Sequence, residues 1–272
     1  MKVLISVDAE GLQGITFGTQ VLPGLGLYQE GRDAMTDSIN AVAAGAFKGG
    51  ATSVTVVDSH DGNRNIPASK IMREATLISG WPKELSMVEG ARDADILFMI
   101  GYHSRAGTLN GVLDHTYSTN VHRLWINGIE TGEIGLSAAV AGKLGVRVGL
   151  VAGDAAAVGE AREIFKDCEF AVLKNGLSRY SANSLSSEKA LDLLKTSAEK
   201  AVKHHGSLYK VKEPVKVSVE FQNSGMADNC MLLPDAVRKD AYTVEIEGND
   251  MINAYKLFRV LVSLSSFYHG DY

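Results

Sequence analysis

The chain has little of what marks several large classes of protein. Its 272 residues include only two cysteines, Cys168 and Cys230, far apart and without Cys-x-x-Cys spacing. That argues against a disulfide framework or a nucleophilic thiol, so both are expected as buried free thiols. Prolines number 5, while 45% of residues are hydrophobic and 22% charged, which argues against disorder and against a fibrous architecture. No stretch approaches the ~20 apolar residues that span a bilayer. The start, MKVLISVDAE, has one lysine and a short apolar run that meets acid at Asp8, so no export signal and a cytoplasmic location are expected, with no membrane partner. Lysines and arginines are scattered and the net charge is −5, which leaves no electrostatic footprint for nucleic acid. Gly24-Leu25-Gly26 lacks the third glycine and the preceding strand of a dinucleotide fingerprint, and neither a Walker A motif nor a Gly-x-Ser-x-Gly elbow is present.

Patterned apolar segments are abundant. Runs rich in Val, Ile and Leu at 3–7, 54–57, 96–100 and 146–151 are bounded by Gly or Asp and predict buried strands. Between them, residues 29–48 place Met35, Ile39, Val42, Ala46 and Phe47 at helical spacing before Gly49-Gly50, and 135–144 and 155–166 are similar. This alternation predicts an α/β core with a largely parallel sheet and helices on both faces. After about residue 180 a charged helix (187–205), alternating strands (216–221 and 243–247) and a closing helix (250–267) predict a smaller C-terminal α+β lobe. The expected division is a catalytic domain at 1–205 and a lobe at 206–272. A chain of this length buries about three quarters of its unfolded surface and needs no external staple.

Ligands of open α/β sheets gather at the carboxyl ends of the strands. Here those ends are chemically one-sided: Asp8-Ala9-Glu10-Gly11, Asp58-Ser59-His60-Asp61-Gly62, Gly101-Tyr102-His103 and Gly153-Asp154. Carboxylates and imidazoles without thiolates form a donor set for zinc and its divalent neighbours. Asp8 and Glu10, two apart, project to one side of an extended backbone and suit a ligand pair. The competing reading is a helix cap or a surface acidic pair. His60 is either a ligand or a loop histidine tied to a neighbouring acid, and Asp58 or Asp61 is the expected acceptor for its ring. Glu133 opens a helix after the turn at 127–132, where an acid also complements the helix dipole. His115 is open as a base, an oxyanion partner or a packed loop residue. Of the other histidines, His204, His205 and His269 are expected in solvent, and His122 has no catalytic setting.

Taken together, Ser6-Val7-Asp8-Ala9-Glu10-Gly11, Asp58-Ser59-His60, Ser86-Met87-Val88-Glu89-Gly90, Gly101-Tyr102-His103 and Asn127-Gly128 through Glu133 resemble the zinc-dependent D-aminopeptidases of dipeptide-transport operons, over nearly the whole chain. The resemblance implies two zinc ions per subunit, with Asp8 bridging and Glu10, His60, His103 and Glu133 completing the ligand set. It implies His115 as the catalytic histidine, short peptides as substrates and a ring-shaped homo-oligomer, a decamer of stacked pentamers. Two adjacent cations acidify a water and polarise a carbonyl, so amide hydrolysis needs no nucleophilic side chain. The handedness of the substrate stays open because pocket walls set it. The segment 173–180 is either a pocket wall or a surface loop. The alternatives are a two-metal phosphoesterase or another amidohydrolase, disfavoured for phosphate by the lack of a basic cluster, and a non-catalytic ring-forming protein stabilised by metal.

Overall fold

The computed structural model describes residues 1–204 and 206–267, so His205 and His269 lie outside the described residues. In chain order the elements are β1 (Lys2–Val7), α1 (Tyr28–Lys48), β2 (Ser53–Asp58), β3 (Thr76–Ile78), β4 (Ile96–Tyr102), β5 (Val121–Ile126) and β6 (Ile129–Glu130). They continue with α2 (Glu133–Lys143), β7 (Arg147–Asp154), α3 (Ala155–Ile164), β8 (Glu169–Ser178), β9 (Ser181–Ser184), α4 (Ser187–Lys203), β10 (Val215–Phe221), α5 (Ser224–Cys230), β11 (Val237–Arg238), β12 (Thr243–Gly248) and α6 (Met251–Ser265). Seven strands in the order β3-β2-β1-β4-β7-β8-β9 make one sheet, parallel except for the terminal pair β8-β9.

Side chains alternate across that sheet, and both faces are covered, which is why its strands read as continuous apolar runs. Val3, Ile5 and Val7 of β1, with Ile96, Phe98 and Ile100 of β4, pack against Met35, Ile39, Val42 and Ala46 of α1 and Leu194 and Ala198 of α4. Leu4, Leu97 and Met99 point the other way, into a core shared with Leu136 and Val140 of α2, Ala157 and Ala161 of α3, Val217 and Val219 of β10, and Phe258 and Leu261 of α6. The α/β core with helices on both faces is therefore observed as expected.

A second, five-stranded antiparallel sheet runs β11-β12-β10-β5-β6. The strands from the lobe expected after residue 206 share this sheet with β5 and β6, which come from between His103 and Glu133. β5 and β6 form a hairpin whose tip, Asn127-Gly128, has φ of 50° and 80°. An Asn-Gly pair favours this two-residue hairpin turn. Cys230 is buried and Cys168 half-buried, and both are free; burial pushes each thiol up to about 12. No helix among the described residues is long and apolar enough to cross a membrane.

Candidate metal centre

Parallel register brings three chemically distinct strand ends side by side. Val7 of β1 pairs with Asp58 of β2 on one side and with Ile100 of β4 on the other, so the chain emerges from adjacent strands at Asp8, Ser59-His60 and Gly101-Tyr102-His103. Beneath these ends Ser6 Oγ lies 2.9 Å from Ser59 Oγ, donates to the Met87 carbonyl at 2.7 Å and lies 2.7 Å from Tyr102 Oη. This buried network ties β1, β2, β4 and the 86–90 turn at one level. Gly11 and Gly101 let two of the loops meet backbone to backbone: Gly11 N donates to Gly101 O at 2.7 Å. A Cβ on Gly11 would lie 2.0 Å from the Tyr102 carbonyl oxygen, and Gly101 holds φ of 73°, a left-handed conformation that costs other residues.

The structure brings Asp8, Glu10, His60, His103, His115 and Glu133 into one cluster. His60 Nδ1 stands 3.0 Å from Asp8 Oδ1 and 3.1 Å from Glu10 Oε2. His103 Nε2 stands 3.5 Å from Asp8 Oδ2 and 3.3 Å from Glu133 Oε1, and His115 Nε2 is 3.7 Å from the same Glu133 oxygen. The rings of His103 and His115 stack with centroids 4.0 Å apart. All except His115, which is half-buried, are buried. Two overlapping groups have ligand atoms within 4.8 Å of one another, Asp8-Glu10-His103 and His103-His115-Glu133, with His103 common to both.

Each imidazole is held from outside by main chain. His60 Nε2 meets the Val21 carbonyl at 2.8 Å, His103 Nδ1 the Ser104 carbonyl at 2.9 Å, and His115 Nδ1 the Leu113 carbonyl at 2.9 Å. A carbonyl only accepts, so each of these outer nitrogens carries its proton and the inner nitrogen is directed at carboxylates. Metal-ligating histidines are oriented in this way. Ligands of a tetrahedral zinc ion with bonds of about 2.0–2.1 Å lie about 3.3 Å apart, and the inner nitrogen-to-carboxylate distances of 3.0 to 3.7 Å bracket that separation. Glu10 Oε2 and His103 Nε2 are buried without a hydrogen-bond partner; the 3.1 Å approach of His60 to Glu10 is an ion-pair distance without hydrogen-bond direction. A cation between the groups satisfies both orphaned atoms, so the residues fit a metal.

Electrostatics agree with that fit. Burial and the neighbouring Glu10 raise Asp8 to about 7. Burial works in the same direction on Glu10 and Glu133, but the imidazoles of His60 and His103 respectively outweigh it and hold both acids below the usual carboxylate range. For His60 and His103 burial favours the neutral ring, yet Glu10 and Glu133 respectively lead the carboxylates that raise both well above the ordinary value. Each inner nitrogen is therefore a strong seat for a cation, proton or metal. His115 is different: burial and the nearby His103 lower it, which leaves a neutral ring. Leu113 and Tyr117, two residues to either side of it, hold positive φ of 53° and 63°, uncommon for such residues and concentrated at functional sites.

A family model described as peptidase M55, D-aminopeptidase, matches residues 1–260. The chain belongs to that family. It is 38% identical over 270 residues to the D-aminopeptidase of Bacillus subtilis strain 168, covering 97% of this chain and 98% of that one. Its fold superimposes with a TM-score of 0.96 on a solved structure described as the Zn-dependent D-aminopeptidase DppA from Bacillus subtilis, a self-compartmentalizing protease. That match has 36% identity and covers 99% of this chain and 100% of the other.

Several residues of this M55 peptidase do work that the sequence did not disclose. Asp58 does not meet the His60 ring; it accepts from Asn65 N at 2.6 Å, Asn65 Nδ2 at 2.9 Å and Ile66 N at 3.1 Å, which shapes the loop beyond His60. Asp61 is exposed beside the cleft. Asp154 caps α3 at Ala157 N and accepts from Val112 N at 2.8 Å. Glu160 accepts from Arg105 N at 2.9 Å and Gly132 N at 3.2 Å, joining the loop after His103 to the turn before Glu133. Lys174 is fully buried, and its ammonium donates to the carbonyls of Glu10, Leu12 and Ile15. Burial pulls it down to about 8 against the pull of Asp154 and Glu10. A lysine inside the apolar run of β8 was the available signal. His122 pairs with Glu220 at 2.7 Å, away from the cluster, and His204 is exposed.

Proposed function

We propose that this M55 peptidase is a dizinc aminopeptidase that removes the amino-terminal residue, a D-residue included, from short peptides. The observation that carries the reading is the convergence of three imidazoles, each tied outward to a carbonyl, on Asp8, Glu10 and Glu133. Asp8, Glu10, His60, His103 and Glu133 would hold two zinc ions, with Asp8 placed between His60 and His103. Zinc held there supplies an activated water nucleophile and charge stabilisation at the scissile carbonyl.

The protein's own groups supply position and proton traffic. His115 keeps Nδ1–H on the Leu113 carbonyl and presents Nε2 toward the cleft, where a neutral imidazole takes up a proton and returns it to the leaving amine. The cleft has a volume of about 420 Å³, near the lower end of ligand pockets, which suits short peptides. Four carboxylates, Asp8, Glu10, Asp61 and Glu133, line it against one arginine; that balance attracts a substrate ammonium and opposes a phosphoester. Two free cysteines suit a reducing compartment, in keeping with the cytoplasm. A closed homo-oligomer, a decamer in the resemblance, accords with the self-compartmentalizing description of the solved relative.

Elemental analysis of protein purified without chelator should give two zinc ions per chain, and a D-alanyl anilide should be hydrolysed. Glu10→Ala and His60→Ala should each lose zinc and activity while keeping the circular dichroism of the parent. Full activity in both variants would place the chemistry elsewhere.

A further inference from the structure

We propose that Arg179 is the subsite for the free terminal carboxylate of a short peptide, an inference that rests on the aminopeptidase reading above. Arg179 stands in the turn between β8 and β9, within the segment that the sequence left open between pocket wall and surface loop. It lines the same cleft as Asp8, Glu10, His60, His115 and Glu133, and among the described residues lining that cleft it is the one lysine or arginine. A substrate with a free amino end and a free carboxyl end carries one charge of each sign, and this cleft offers acids around the metal centre and one guanidinium.

The guanidinium is fixed from behind. Nη1 donates to the main-chain and side-chain oxygens of Asp114. Nε donates to Tyr180 Oη at 3.2 Å, and Cζ lies 5.7 Å from the centroid of that ring. Nη2 carries two further N–H groups, which make no hydrogen bond among the described residues. The side chain is 40% exposed while Asp114 is buried. The result is a rigid, solvent-accessible Nη2 on a pocket wall, whose free N–H groups can donate charge-assisted hydrogen bonds to a carboxylate. Asp114 neutralises the net charge, so the attraction is short-ranged and directional, and a ligand gains it only with its carboxylate correctly placed. Because Asp114 immediately precedes His115, the same pair sets the distance from this subsite to the catalytic imidazole. A fixed distance acts as a ruler for peptide length: in a cleft of about 420 Å³ a longer peptide carries its carboxylate past the arginine.

The test compares D-alanylglycine with D-alanylglycine amide, measuring kcat/KM with the zinc-loaded full chain and its Arg179→Met and Arg179→Lys variants. Hydrogen bonds to a charged group make the parent prefer the acid by roughly ten- to hundredfold. In Arg179→Met this acid-to-amide ratio should fall toward one, chiefly through KM for the acid, with zinc content retained. Arg179→Lys, which keeps the charge but loses the planar guanidinium and its bracing by Asp114 and Tyr180, should lie between. Equal rates on acid and amide in the parent overturn the inference without any variant needing to fold. So does a variant in which both rates fall together and the ratio is kept, since Arg179 then only braces Asp114 and His115. Hydrolysis of neither substrate by the zinc-loaded protein overturns the aminopeptidase reading itself, and the subsite with it.

Discussion

Replacing Lys174 by methionine is the sharpest test of how the centre is built, because the residue touches no predicted ligand side chain. Its ammonium holds three carbonyls, those of Glu10, Leu12 and Ile15, on the loop that carries Asp8 and Glu10. Methionine fills most of the volume but donates nothing. Three buried acceptors then lose their donor, at about 1–3 kcal/mol each. Several kcal/mol return because a cation is no longer desolvated, leaving a net loss of about 2–4 kcal/mol. For a chain of this size that lowers the melting temperature by roughly 5–15 °C. The loop must also be ordered by the metal instead of before it arrives, so zinc affinity falls and zinc raises the melting temperature by less than in the parent at equal free zinc. Melting curves of the metal-free protein and competition for zinc with a chelator measure the two effects separately. A variant that melts within about 2 °C of the parent and binds zinc equally well refutes the clamp. One that is destabilised yet keeps full zinc affinity shows that Lys174 supports the fold without positioning the ligands.

His115→Ala should retain both zinc ions and lose roughly 10²- to 10⁴-fold in kcat; loss of zinc would make it a ligand. Tyr102→Phe removes Oη from Ser6 and from Ser137, 3.4 Å away, and should cost about 1–2 kcal/mol in denaturant unfolding with the metal content unchanged. Zinc affinity should weaken steadily as pH is lowered, because His60 and His103, both raised by their carboxylates, must shed an inner proton to bind metal. An affinity flat between neutral and mildly acidic pH, followed by isothermal titration, would contradict that ligand assignment.

The strands of the parallel sheet were legible because burial on both faces leaves no polar alternation to confuse them, and the residues at their carboxyl ends were legible for the same reason. What the sequence obscured lies between β4 and α2. Asn127-Gly128 reads as part of a turn opening a helix, yet it is the tip of the β5-β6 hairpin, and the longer partner of β5 is β10, about ninety residues downstream. Glu133 stands after this excursion, which is why the residues alone could not separate a ligand from an acid at a helix start. Asp58 adjoins His60 in sequence but turns to main-chain amides, a choice that depends on the loop at 63–66. The sequence hides β8 because Lys174 breaks its apolar run, although the lysine points inward to three carbonyls that no local pattern reveals.

The outward tethers of the three imidazoles are all main-chain carbonyls, and two belong to residues that line the cleft while packing in the apolar core, Val21 and Leu113. At those positions inheritance acts on two layers separately. The side chain can change and reshape the pocket wall, while the carbonyl that fixes the ring is present whatever residue is encoded. A volume-conserving substitution at either position therefore alters the pocket edge while His60 and His115 keep their tethers.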